Sequence, residues 1–137
     1  MNKQIFVNLP VKDLQRSVAF FSALGYTFNP QFTNENATCM ILGENLFAML
    51  LVEQFFTGFT KKPIPDTSKG VEVLVCLSCD SREEVDQLVA KARAAGGSVP
   101  NEPQDHGFMY GHGFTDPDGH VWELVHMVDA SQAVHNS

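Results

Sequence analysis

Apolar and polar residues alternate with period two over residues 5–11, then switch to helical spacing at Leu14, Val18, Phe21 and Leu24. Two short apolar segments, 38–42 and 46–52, read as further strands. The order then repeats. Residues 71–78 predict a strand, and Ser81-Arg82-Glu83-Glu84 has the form of a capping box. Val85, Leu88, Val89, Ala92 and Ala95 mark one face of a helix that stops at Gly96-Gly97. Strands follow at about 108–115 and 121–128. The helix starts, Asp13 and Ser81, lie 68 residues apart, a period that suits a βαβββ unit and is too long for a solenoid repeat. The expected organisation is a single domain, 1–137, of two modules at about 4–53 and 71–128, with a linker at about 54–70 and a tail at 129–137.

The linker is long for a plain connector, and its prolines and glycines predict a loop. It carries Phe55, Phe56 and Phe59. Phenylalanines in a loop dock on something, either plugging a core edge or dimer contact or forming a lid over a pocket. Composition fits one compact unit: 137 residues, 44% hydrophobic and 18% charged, can bury a good core. A net charge of -7 with no basic stripe argues against a nucleic-acid partner and leaves room for cationic or neutral ligands. There is no apolar run long enough to span a bilayer, and the N-terminus leads into a strand pattern, so the expected setting is the cytoplasm. Three cysteines, Cys39, Cys76 and Cys79, form no disulfide framework. Cys76 and Cys79 make a C-x-x-C spacing, but residues three apart on a strand face opposite ways.

The most informative segment is 116–125, an Asp-Pro-Asp-Gly turn feeding a strand. On that strand Val121, Glu123, Val125 and Met127 point one way, and His120, Trp122, Leu124 and His126 the other. Glu123 therefore stands among valines. A carboxylate there implies a partner, a ligand cation or a raised pKa, unless it pairs with a nearby donor or reaches past the strand to water. His112 lies in an aromatic row with Phe108, Tyr110 and Phe114, whereas Gly111 and Gly113 share the other face of their strand. It is either a packed histidine or an acid-base group. His106 and His135 read as loop and tail.

The Asp-Pro-Asp-Gly turn with Glu123-Leu124 resembles the close of the second module in the vicinal oxygen chelate superfamily, which includes glyoxalase I, bleomycin-resistance proteins and extradiol dioxygenases. Residues 8–17, with Phe20-Phe21 and Leu24-Gly25-Tyr26, are similar to its first strand and helix. The resemblance implies an α+β fold in which two βαβββ modules form paired curved sheets around a cup. It also implies inward-facing residues: Phe6, Asn8 and Pro10 on the first strand, and Glu72, Leu74, Cys76 and Ser78 before the second helix. Metal-dependent members hold a divalent ion with four side chains. The matching positions here are Phe6, a residue near Leu50, a residue near Leu74, and Glu123, of which only Glu123 is a ligating type. A shift of two residues substitutes Asn8 and Glu72, a weak oxygen-only set. The expected cofactor is therefore none, with a divalent metal disfavoured.

Two functions follow as expectations. In one, the protein is a glyoxalase-like lyase or isomerase acting on a small molecule without the usual metal. Glu123 and His112 would be its catalytic groups, and Phe6, Asn8, Leu50, Glu72, Leu74, Phe108 and Tyr110 its ligand contacts. In the other it is a bleomycin-resistance-like protein that sequesters a small aromatic or cationic compound; in either case the expected partner is a second copy of the chain, in a homodimer. The fold hosts unrelated chemistries, so the site must decide between them.

Overall fold

The computed structural model describes residues 3–128, and the chain divides into two compact units between Gly70 and Val71. Residues 129–137, which include the predicted tail and His135, lie outside the described residues.

In the first unit β1 (Ile5–Val11) leads to α1 (Leu14–Ala23), then β2 (Thr27–Asn29), β3 (Ala37–Gly43) and β4 (Leu46–Val52). These strands form one sheet in the order β1-β4-β3-β2, with β1 parallel to β4 and the other pairs antiparallel. Asp13 starts the helix because its Oδ1 accepts the Arg16 N–H at 3.1 Å, satisfying one of the amides that the first turn leaves open. One face of the sheet carries Leu9, Val11, Met40, Ala48 and Leu50, all buried, and α1 adds Phe20 and Phe21. Each of these side chains larger than Ala48 contributes about 1.5–3 kcal/mol by leaving water.

The second unit repeats the plan. After β5 (Leu74–Ser78) come α3 (Arg82–Ala94), β6 (Gln104–Asp105), β7 (Met109–Thr115) and β8 (Val121–Met127), in the sheet order β5-β8-β7-β6. β5 is parallel to β8, and the other pairs are antiparallel. The predicted capping box is present in altered form. Ser81 Oγ accepts the Glu84 N–H at 3.1 Å, and Glu84 Oε1 accepts the Asp80 N–H at 2.7 Å, one residue earlier than the usual partner. Val85, Val89 and Ala92 of α3 are buried, as are Phe114, Trp122 and Leu124 on the sheet, where the Phe114 and Trp122 rings stack at 6.5 Å.

Each unit is thus the expected βαβββ element, a four-stranded mixed sheet with a helix, and neither sheet closes into a barrel. Three sequence expectations need correction. The strand read over 71–78 begins only at Leu74, and Val71, Glu72 and Val73 are exposed ahead of it. The edge strands β2 and β6 were not read, because three and two residues are too few for alternation to register. The linker opens with a helical turn, α2 (Glu53–Phe56), where a loop was expected, and Phe55 packs edge-to-face on Phe59 at 5.4 Å. Those two rings stay exposed.

Candidate functional site

Cross-strand register shows what surrounds Glu123. Its partner on β5 is Cys76 and its partner on β7 is Gly113, with Val121 and Val125 two residues away along its own strand. Directly paired residues share a face, so these side chains stand together, opposite the face that buries Trp122 and Leu124. Glu123 is half-buried, and among the described residues no hydrogen bond or ion pair reaches its carboxylate. The Cys76 thiol is pushed up, first by burial and then by the negative charge of Glu123.

The glycines of β7 shape the space beside that carboxylate. Gly111 pairs with Val125 and Gly113 with Glu123, so two adjacent positions on this face of β7 have no side chain. At Gly113 the approach is obligatory, since a Cβ would stand 2.6 Å from the Trp122 carbonyl oxygen. Beyond β7 the edge is irregular. Ser98 bridges Thr115 and Gln104 pairs with Gly111, while residues 99–103 bulge between those two points. The result is a cavity of about 270 Å³, just below the usual range for small-ligand sites. Glu123, Val121 and Val125 form one side, the two glycines line it from β7, and Pro100, Asn101, Glu102 and Gln104 form the other side. Two carboxylates and no lysine or arginine line it.

The turn before β8 is built on a second carboxylate. Asp116 Oδ1 accepts the backbone N–H groups of Asp118 at 2.9 Å and His120 at 3.0 Å, and Oδ2 accepts the Trp122 indole N–H at 3.0 Å. Burial raises the pKa of Asp116, partly offset by His120 and by the indole and backbone donors. Gly119 completes the turn at φ 87°, where a side chain would be strained. This carboxylate is structural: it ties the turn to the core tryptophan.

Several predicted site residues are elsewhere. His112 pairs with Leu124 and therefore stands on the core-side face of β7, where its Nε2 is 2.8 Å from the Asn101 carbonyl oxygen. It borders the cavity, but its ring is not on the Glu123 face. Tyr110 is also turned away from that face, donating its hydroxyl to Asp86 on α3 at 2.6 Å beneath the Arg82 guanidinium. Phe108 precedes β7, is 56% exposed and stacks on His106. Leu50 points to the buried face of the first sheet at 1% exposure; the residue that shares the Asn8 face is Met49. Alternation predicts direction only where polar residues punctuate a strand, and β4, Leu-Phe-Ala-Met-Leu-Leu-Val, has none. Phe6 stacks on Phe47 at 4.9 Å in the first unit, whereas Leu74 does stand on the Glu123 face, paired with Val121. Glu72 lies outside β5. Cys76 is exposed and Cys79 buried, with the Cys79 thiol pushed up to about 11 by burial and by Glu84, Asp80 and Cys76.

A divalent ion requires several converging donors. The neighbours of Glu123 on its face supply a single thiol, and among the described residues no group of three or more His, Cys, Asp or Glu side chains is arranged so that it could hold a metal ion. This donor set does not fit such an ion. Strand periodicity alone does not reveal the roles of Gly111, Gly113 and Asp116. The detectable signal was a G-x-G on the strand that precedes the carboxylate's own.

Residues 3–124 match the family model described as Glyoxalase/Bleomycin resistance protein/Dioxygenase superfamily. No curated protein sequence matches the chain. Among solved structures, a hypothetical protein from S. aureus is 32% identical, covers 91% of this chain and 94% of its own, and has a TM-score of 0.76. An antibiotic binding protein from Streptomyces is 18% identical over 93% of this chain and 98% of its own, with a TM-score of 0.67. The fosfomycin resistance protein FosX of Listeria monocytogenes is 19% identical over 94% and 96%, with a TM-score of 0.65. The last two share the fold. No helix of the described residues is long and apolar enough to cross a membrane.

Proposed function

The chain belongs to the Glyoxalase/Bleomycin resistance protein/Dioxygenase superfamily, and from that premise we propose that it binds and sequesters a small cationic compound in the cavity of its second unit. The observation that carries this reading is the solitary position of Glu123. Its carboxylate stands half-buried between valines on a cavity wall, with no histidine on its face and, on the paired strands, only the Cys76 thiol, whose pKa is raised, beside it. General acid-base chemistry needs a proton acceptor and, as a rule, a second group to deliver or orient the proton. His112 and Tyr110, the candidates for that second role, are committed to Asn101 and Asp86 on the other side of β7. A carboxylate among apolar walls, with a second carboxylate on the rim and no cationic side chain, suits an ammonium or amidinium ligand.

One feature favours an enzyme of lyase or isomerase type. Glu123 is open to the cavity and could act alone as a general base. The test is calorimetric titration of arylamines, amidines and alkylammonium ions into wild type and Glu123→Gln. Saturable one-to-one binding of a cation, weakened at least about tenfold in the variant, or about 1.4 kcal/mol, is the expected result. Turnover of a carbonyl or epoxide substrate by the wild type, lost in Glu123→Gln, would replace sequestration with catalysis.

A further inference from the structure

The cavity has a shape as well as a charge, and that shape narrows the ligand. β7 lies between β8 and β6, so residues on those flanking strands are separated across it by about 10 Å, twice the inter-strand spacing. On the Glu123 face, the stretch of β7 between Met109 and Thr115 carries only Gly111 and Gly113. The floor there is backbone, with Val125 Cγ1 and the Met109 methyl at its edge, 3.4 and 3.8 Å from where a Cβ of Gly111 would stand. Val125 and Glu123 rise on one side, and Gln104 and Glu102 lie on the other. A slot floored by backbone, flanked at Gly111 by strands whose backbones lie about 10 Å apart and carrying a carboxylate on one wall, accepts a planar group lying on the peptide planes with an N–H edge turned to that carboxylate.

We infer that Gly111 and Gly113 determine specificity and that the slot selects a planar nitrogen cation, an aryl amidinium or aminoheteroaromatic, over an alkylammonium or an amidinium carried on a saturated ring of similar size. This rests on the reading of the cavity as a cation site. Two parallel N–H donors on one edge match the two oxygens of Glu123 in the bidentate geometry that a single ammonium cannot reproduce. The flat body fits the floor because neither glycine contributes a Cβ.

The two glycines are open to different tests. A Cβ at Gly111 would meet Val125 Cγ1 at 3.4 Å and the Leu124 carbonyl oxygen at 3.6 Å, ordinary contacts, so Gly111→Ala places a methyl on the floor without displacing backbone. At Gly113 the added Cβ would collide with the Trp122 carbonyl, so that variant perturbs the sheet itself. Gly111→Ala is therefore the clean probe.

The experiment compares benzamidine with cyclohexanecarboxamidine, which carries the same cation on a puckered ring, by calorimetric titration into wild type and Gly111→Ala. Wild type is expected to bind benzamidine at least about tenfold more tightly, and Gly111→Ala, folded by circular dichroism, to lose most of that preference. Equal affinity of the wild type for both amidines would overturn the planar selection while leaving the cation site intact. Binding of neither would overturn both. An undiminished preference in a folded Gly111→Ala would show that the floor does not set the shape. Should Gly111→Ala fail to fold, the two-ligand comparison on wild type still decides.

Discussion

The two sheets have the same pairing and the same helix connection, but the faces opposite Leu50 in the first and Leu124 in the second differ. The helix N-caps make the correspondence explicit: Asp13 lies five residues after Asn8, and Ser81 five after Cys76. Asn8 pairs with Met49, which pairs with Cys39; Cys76 pairs with Glu123, which pairs with Gly113. A thioether and a thiol in the first unit thus occupy the places of a carboxylate and a hydrogen atom in the second. The contrast extends to the other face, where Met40 beside Ala48 matches Phe114 beside Trp122. In the first unit the position across from Met49 is filled, and Cys39 is 1% exposed. In the second, removing the side chain opposite the carboxylate leaves space for something else. A duplicated backbone can become a packed wall in one copy and a pocket wall in the other through two side chains.

Three changes would sharpen or break this contrast, in falling order of effect. The first concerns the turns that set the last strands. β3 and β4 meet through a tight hairpin at Gly43 and Leu46, whereas β7 and β8 depend on Asp116. Asp116→Ala leaves three N–H donors without their acceptor, two of them backbone, and is expected to cost about 3 kcal/mol or more in denaturant unfolding. The pH dependence follows from the raised pKa of Asp116. Its stabilising contribution is fully present below the ordinary carboxylate range and is lost as pH rises through the higher folded value. The margin of wild type over Asp116→Asn should therefore narrow as pH rises through that window; a margin that widens would contradict the assignment.

The second concerns the glycine pair. Gly113→Ala must move the Trp122 carbonyl and is expected to destabilise by about 1–3 kcal/mol, whereas Gly111→Ala should cost less than about 1 kcal/mol. Equal losses would mean that the bare strip is a packing requirement of the sheet and not a cleared floor. The smallest effect is electrostatic. Because the charge of Glu123 helps raise the Cys76 thiol, Glu123→Gln should shift the alkylation profile of Cys76 toward lower pH, while Cys79, buried, stays slow in both proteins. An unmoved profile would mean that the two side chains do not share the face assigned to them.

Much of this was legible in the chain. Alternation in β1 and β8, the helical spacing of Val85, Val89 and Ala92, and the caps at Asp13 and Ser81 each follow from local geometry, and the residues responsible are contiguous or a turn apart. The standing of Glu123 among valines was legible for the same reason. The face that Leu50 takes on its own sheet, and the directions of His112 and Tyr110 relative to Glu123, were not, although His112 and Tyr110 were correctly grouped along β7. Facing along one strand is a local property; facing across strands depends on which residue pairs with which.

The sequence by itself therefore determined the elements, their duplicated order and the carboxylate on an apolar strand face, because period, capping and turn chemistry act over a few residues. Tertiary structure alone decided that Gly113 lies opposite Glu123 and that His112 lies on the other face. It also decided that residues 99–103 leave the edge of β7 to open a cavity. These outcomes depend on register between strands distant in sequence, and a shift of one residue would have exchanged the two faces.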